Sequence, residues 1–113
     1  MDEVVSKLVA LGVPGLVLLV AIAISGAAGG AAIVAALAFL GGPFGMLGGL
    51  ATLALITLVS DSIGKYGVHT IFRNVVDGLV EKGKSKRQIR KEIDSYPITK
   101  GLKNKLHEHL DRV

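Results

Sequence analysis

Charge disappears from this chain between Lys7 and Asp61. The 53 positions between them hold no Asp, Glu, Lys, Arg or His. On either side, apolar residues recur at helical spacing. Residues 1–13, MDEVVSKLVALGV, put Val4, Val5, Leu8 and Val9 on one face and Glu3, Ser6 and Lys7 on the other. That is the pattern of a short amphipathic helix, with Asp2 as the expected N-cap. Pro14 then stands where a second helix can begin, because the first turn uses no N–H.

The uncharged run divides into two apolar stretches, residues 15–40 and 44–60, separated by Gly41, Gly42 and Pro43. Two glycines and a proline are a turn signal. About 20 apolar residues cross a bilayer. The pattern therefore predicts a two-helix transmembrane hairpin over residues 14–62, with its turn at 41–43 and its end at Ser60, Asp61 and Ser62. Residues 15–40 would reach about 39 Å as one helix, more than the hydrocarbon core of about 30 Å, so tilt or a bend absorbs the excess. Ala21, Ile22 and Ala23 imitate a signal-peptide cleavage site. Two acids before the apolar run and a second apolar stretch after it speak against that reading.

Beyond Asp61 the period is that of amphipathic helices. Val68, Ile71, Phe72, Val75, Val76, Leu79 and Val80 share one face of the first, and Gly83 stands where a C-cap belongs. Ser85 and Gln88 form a capping box for a second helix, with Ile89 and Ile93 on one side. Tyr96 and Pro97 break it. Thr99 can cap a third, with Ile98, Leu102, Leu106 and Leu110 at steps of four. A basic three-helix region over residues 63–113 is expected. At fewer than about 50 residues such a bundle is marginal alone, so membrane or neighbouring subunits are expected to support it.

Composition sharpens this picture. Half of the 113 residues are hydrophobic and the mean hydropathy is +0.57. Residues 1–60 carry a net charge of −1 and residues 61–113 a net +5. By the positive-inside rule the basic region lies in the cytoplasm, and a two-span hairpin puts the N-terminus there too. There is no Cys, hence no disulfide framework and no thiolate chemistry.

Residues 78–85, GLVEKGKS, match the P-loop pattern of two glycines, a lysine and a serine. A P-loop needs a strand before it, whereas the residues preceding Gly83 have helical period. Only 28 residues come after Ser85, too few for the sheet around such a site. The stretch divides into core positions Leu79 and Val80, a C-cap at Gly83 and an N-cap at Ser85. No nucleotide is expected.

The small residues are more informative. Ser25 to Ala32 form eight successive positions with almost no side chain, and Gly26 and Gly30 are a G-x-x-x-G pair. Gly29, Gly48 and Gly49 add to the series, and Gly41, Gly45 and Gly49 repeat the step of four. Association inside a bilayer rests on close backbone packing, which small residues allow. These glycines are the expected packing and oligomerisation positions of a homo-oligomer. Packing of the two spans within one chain, or a hinge, are the alternatives.

No ionisable group lies in the expected spans, so proton relays and ion-coupled transport have no side chains to use. A pore lined by these helices would be apolar, without charge selectivity. The basic cluster Lys82, Lys84, Lys86, Arg87, Arg90 and Lys91 suits anionic headgroups or a partner protein. Nucleic acid is not expected, because no aromatic residues are interleaved for base stacking. His107 and His109 point in different directions on a helix, and no metal-ligand spacing occurs. Asp77, Glu81, Glu92 and Asp94 are assigned to solvated helix faces. No arrangement of residues suggests an enzyme, a metal site or a cofactor.

The sequence thus reads as an all-α integral, multi-pass membrane protein with both termini cytoplasmic. It has an N-terminal amphipathic helix, a Gly-rich hairpin and a basic helical bundle. In layout it is similar to phage holins and other small pore-forming effectors, a likeness of organisation. The expected function is a self-associating, membrane-permeabilising or membrane-remodelling oligomer. The alternative is a membrane-anchored interaction module whose basic bundle binds a partner protein or anionic lipid. A third possibility keeps the protein soluble until triggered, with the apolar hairpin buried inside an oligomer.

Overall fold

A computed structural model describes residues 1–25 and 48–113. Among them it has six α-helices and no strand: α1 (Asp2–Leu11), α2 (Val13–Ser25), α3 (Gly48–Tyr66), α4 (Val68–Glu81), α5 (Lys86–Ser95) and α6 (Lys100–Asp111). The all-α expectation is met. No helix among the described residues is long and apolar enough to cross a membrane.

Helix α2 lies at the centre. Leu16, Val17, Leu18, Leu19, Val20, Ala21 and Ile22 are all buried. Seven consecutive positions point in every direction around a helix axis. A helix that is apolar all round must be covered all round. Each of the other five helices packs against it. Burying one Val, Leu or Ile side chain contributes about 1.5–3 kcal/mol, so α2 is the largest single source of apolar burial in the described fold. Val4 and Leu8 of α1, Val59 of α3, and Ile71, Phe72, Val75, Val76 and Leu79 of α4 join the same core. So do Ile89 and Ile93 of α5, and Leu106 and Leu110 of α6. The C-terminal helices therefore rest on α2 and, through α4, on α1.

The helix ends obey local chemistry. Met1, rather than Asp2, is the N-cap of α1, and no side chain caps it. Asp2 and Glu3 instead lie in the first turn, where acidic groups favour the positive end of the helix dipole. Pro14 falls in the first turn of α2, as its missing N–H requires. The expected end near Ser60 is corrected: α3 runs on to Tyr66. Asp61 and Lys65 turn outward while Ser62 is buried, so the polar residues belong to an exposed helical face and do not stop the helix.

Helix α4 ends in a complete Schellman motif. Lys84 N–H donates to Leu79 O at 3.0 Å and Gly83 N–H to Val80 O at 2.9 Å. Gly83 has φ 104°, which a side chain would strain. The Ser85 hydroxyl then accepts from Gln88 N–H, and the Gln88 side chain accepts from Ser85 N–H, closing the expected capping box. Thr99 caps α6 by accepting from Leu102 N–H.

The crossing of α1 and α2 is close. A Cβ at Gly15 would lie 2.3 Å from the backbone oxygen of Leu8. Backbone cannot yield as a flexible side chain can. Gly15→Ala is therefore expected to lower the free energy of unfolding by about 1–3 kcal/mol. Gly64, in α3, has open space around it, and Gly64→Ala is expected to raise stability by about 0.5–1 kcal/mol. Urea denaturation monitored by circular dichroism measures both, and equal effects at the two positions would contradict this packing.

Candidate functional site

The turn between α4 and α5 brings several of the expected functional residues together. An open groove of about 660 Å³ runs along it, lined by Lys82, Gly83, Lys84, Gln88, Lys91 and Glu92 together with Ser95. The cluster is less uniform than its sequence suggests. Lys84 Nζ donates to Glu92 Oε1. Arg90 pairs with Asp111 of α6. Lys86 Nζ donates to the Val113 carbonyl at 2.6 Å. Three of the six cations thus hold the chain's own groups. Lys82, Arg87 and Lys91 are exposed, and their side chains make no hydrogen bond or ion pair among the described residues. These three are the charges open to an outside partner.

Glu92 is a correction to the expected solvated face. It is half-buried, and the Tyr96 hydroxyl donates to its second carboxylate oxygen. Burial alone would raise its pKa, but hydrogen bonds from Lys84 and Tyr96 and the Lys84 charge outweigh this and hold it below the ordinary value. Tyr96 is raised in turn by burial and by the Glu92 carboxylate beside it. One carboxylate thereby joins the α4–α5 turn to the end of α5.

The P-loop-like stretch is occupied with helix ends. The amides of Gly83 and Lys84 bond to Val80 and Leu79, and that of Ser85 to the Gln88 side chain. A P-loop turns such amides toward phosphate. Here they close one helix and open the next.

Of the expected packing glycines, Gly26, Gly29, Gly30, Gly41 and Gly45 lie outside the described residues. Gly48 and Gly49 open α3.

A second polar cluster joins α4 to α6. His69 Nδ1 and His109 Nδ1 are 3.0 Å apart, and Phe72 lies against the His109 ring. On the other side of α6, His107 Nε2 comes within 2.7 Å of Asp94 Oδ1, in ion-pair range but off the line of a good hydrogen bond. The two histidines of α6 do point apart, as their spacing requires. The His69–His109 contact spans 40 positions, and nothing in the sequence marks it. Among the described residues no group of three or more His, Cys, Asp or Glu could hold a metal ion.

Compared with known proteins, the chain matches no family model, no curated protein and no solved structure. Its own geometry has to carry the functional argument.

The Glu92 linkage has a definite sign. A carboxylate held below its ordinary pKa contributes stability above the unfolded value, near 4.5, and loses it as pH falls. Glu92→Gln is expected to lower stability at neutral pH and, in consequence, to flatten the acid limb of the stability curve below about pH 4.5. Urea midpoints between about pH 3 and pH 7 test this; an unaltered acid limb would refute it.

Proposed function

We propose that this is a membrane-active protein that stores an apolar helix inside a shell of amphipathic helices and releases it to permeabilise or remodel a membrane as a homo-oligomer. The observation that carries this reading is the burial of α2 from Leu16 to Ile22, with each of the other five described helices packed against it. Such a helix has no polar face to show to water, so outside the shell it needs lipid or another apolar surface. The sequence on its C-terminal side remains uncharged as far as Ser60, which gives the released segment the apolar length that α2 lacks. The step-of-four glycines supply close-packing surfaces for association in lipid. In the inserted state, residues 14–62 form the hairpin and both termini lie on the cytoplasmic side.

The three unpaired cations favour a second reading, a membrane-anchored module whose α4–α5 face binds anionic lipid or an acidic partner. The two readings share the first encounter with an anionic surface. They differ in whether a pore then forms.

Dye release from anionic vesicles, with dyes of graded size, separates them. Leakage with a size cut-off is expected, and Gly26→Leu with Gly30→Leu should abolish it. Insertion without leakage would favour the anchor. A disulfide can test release directly. A Cβ at Gly78 would lie 3.7 Å from Val9 Cβ, close to the usual disulfide separation of about 3.8 Å, and the chain has no other Cys. Val9→Cys with Gly78→Cys should lock α1 to α4. The oxidised protein is expected to leak dye at least about tenfold more slowly than the reduced one. Equal rates would sink the stored-helix mechanism.

Replacing Lys82, Arg87 and Lys91 by Gln is expected to weaken binding to anionic vesicles by roughly a hundredfold to two hundredfold, at about a fivefold loss per charge near the surface. Vesicle sedimentation checks this. Binding at wild-type strength would place the encounter face elsewhere.

A further inference from the structure

We propose that His69 and His109 form a proton-operated latch: one shared proton ties α6 to α4, and protonation of both rings parts them and uncovers α2. The inference rests on the stored-helix reading for its use at a membrane, but the latch itself is a property of the folded chain.

The geometry is that of a shared hydrogen bond. The ring centroids are 5.2 Å apart and the planes differ by 22°. That distance is close to the 3.0 Å nitrogen gap plus one ring radius on each side, so the rings meet edge to edge along the line of their Nδ1 atoms. A neutral pair needs one Nδ1–H donor and one Nδ1 lone pair, hence different tautomers in the two rings. A first added proton leaves this bridge intact, because an imidazolium still donates to a neutral partner. A second removes the acceptor. Two N–H groups, each on a cation, then face one another across the same gap.

The surroundings resist that second proton. Burial is the largest cause lowering the pKa of both rings, and for His109 the charge of His69 is the next largest. Arg112 acts on both rings, Arg73 of α4 on His69, and Lys105 of α6 on His109. Among the described residues, Glu108 is the acid acting in the opposite sense, on His109. Helix α2, which also packs against α6, carries no charge. The two rings, held below their unfolded pKa, give full stability above the ordinary histidine value of about 6.5 and withdraw it as pH falls below.

A metal ion fits the pair less well. Zinc takes imidazole nitrogens at about 2.0–2.1 Å in a tetrahedral array, each lone pair aimed at the ion, whereas these two Nδ1 atoms are aimed at one another. The flanking arginines also oppose a divalent cation.

The remaining polar ties of α6 among the described residues run to α5, not α4: Arg90 to Asp111, Lys86 to the Val113 carbonyl and Lys103 to the Asp94 carbonyl. Acid therefore loosens α6 from α4 while α5 and α6 stay joined, and the pair leaves as a flap turning at residues 82–85. Leu106 and Leu110 leave with it, and α2 loses part of its cover. A membrane surface at about −30 mV concentrates protons about threefold, which biases the latch toward opening where the apolar helix has somewhere to go.

Hydrogen exchange of the full-length protein, without membranes, tests the latch. After correction for intrinsic rates, α2 amides of the wild type should exchange at least about tenfold faster at about pH 5.5 than at about pH 7.5. His69→Asn with His109→Asn keeps a polar pair that cannot charge, and its change should stay below about threefold. A wild type with no acid response, or a variant with the full one, overturns the proposal. Should the variant fail to fold, NMR titration of the wild-type imidazoles decides. Two coupled steps, the second below the ordinary histidine range, are expected; two independent titrations at the ordinary value overturn it. Dye release at neutral pH bears on the membrane reading alone, so failure of one experiment is distinct from failure of the other.

Discussion

A helix with no polar side must be covered on every side, and the described fold is one solution to that demand. Helix α2 presents Leu, Val and Ile in every direction from Leu16 to Ile22. Water cannot be allowed against any of them without losing the apolar burial that holds the bundle together. Among the described residues five helices pack against it, and each contributes buried apolar side chains to the shared core. The shell helices bury their apolar stripes against α2 and against one another, and α2 has no tolerable aqueous surroundings without the shell.

Close coverage needs close approach, which fixes residues that carry no chemistry. Gly15 lets α2 lie against the Leu8 carbonyl, and Gly78 leaves room for Val9 of α1 on α4. Gly83 ends α4 with both Schellman bonds made, so that α5 can turn back beside α6. These positions determine how near the shell comes to the central helix. The charged ties, by contrast, lie on the outside. Most are exposed ion pairs, each contributing little, and their effect is to choose partners. Those of α6 join it to α5, and the histidine pair is its polar link to α4.

Much of the local structure was legible. The spacing of Val68, Ile71, Phe72, Val75, Val76 and Leu79 places the inner face of α4, and all six residues are buried or half-buried; Val80, expected on the same face as a core position, is instead exposed at the end of the helix. Gly83, Ser85 with Gln88, and Thr99 mark helix ends because capping depends on neighbours within a few residues. What covers α2 was not legible. An apolar helix is satisfied equally by lipid and by apolar stripes of its own chain, and hydropathy reads the same in both cases. The pairing of three of the six cluster cations, the half-burial of Glu92 and the His69–His109 contact all depend on how helices distant in sequence pack. Periodicity assigns a residue to a face and leaves open what lies against that face.

That ambiguity has a physical consequence. Lipid tails are as apolar as Leu, so moving α2 from the shell to a bilayer changes little for its own side chains. The cost lies with the helices left behind, whose apolar stripes must find a membrane surface or one another. It lies also with length. Thirteen residues make a helix of about 20 Å, against a hydrocarbon core of about 30 Å. Helix α2 cannot span as it stands, and the uncharged residues after it must extend it. Storage and insertion are therefore two arrangements of one apolar segment, close in side-chain energy and separated by the undoing of the shell. A balance of that kind responds to modest inputs. Breaking one polar link between α4 and α6, at a surface that already draws in cations and protons, acts on the term that holds the two arrangements apart.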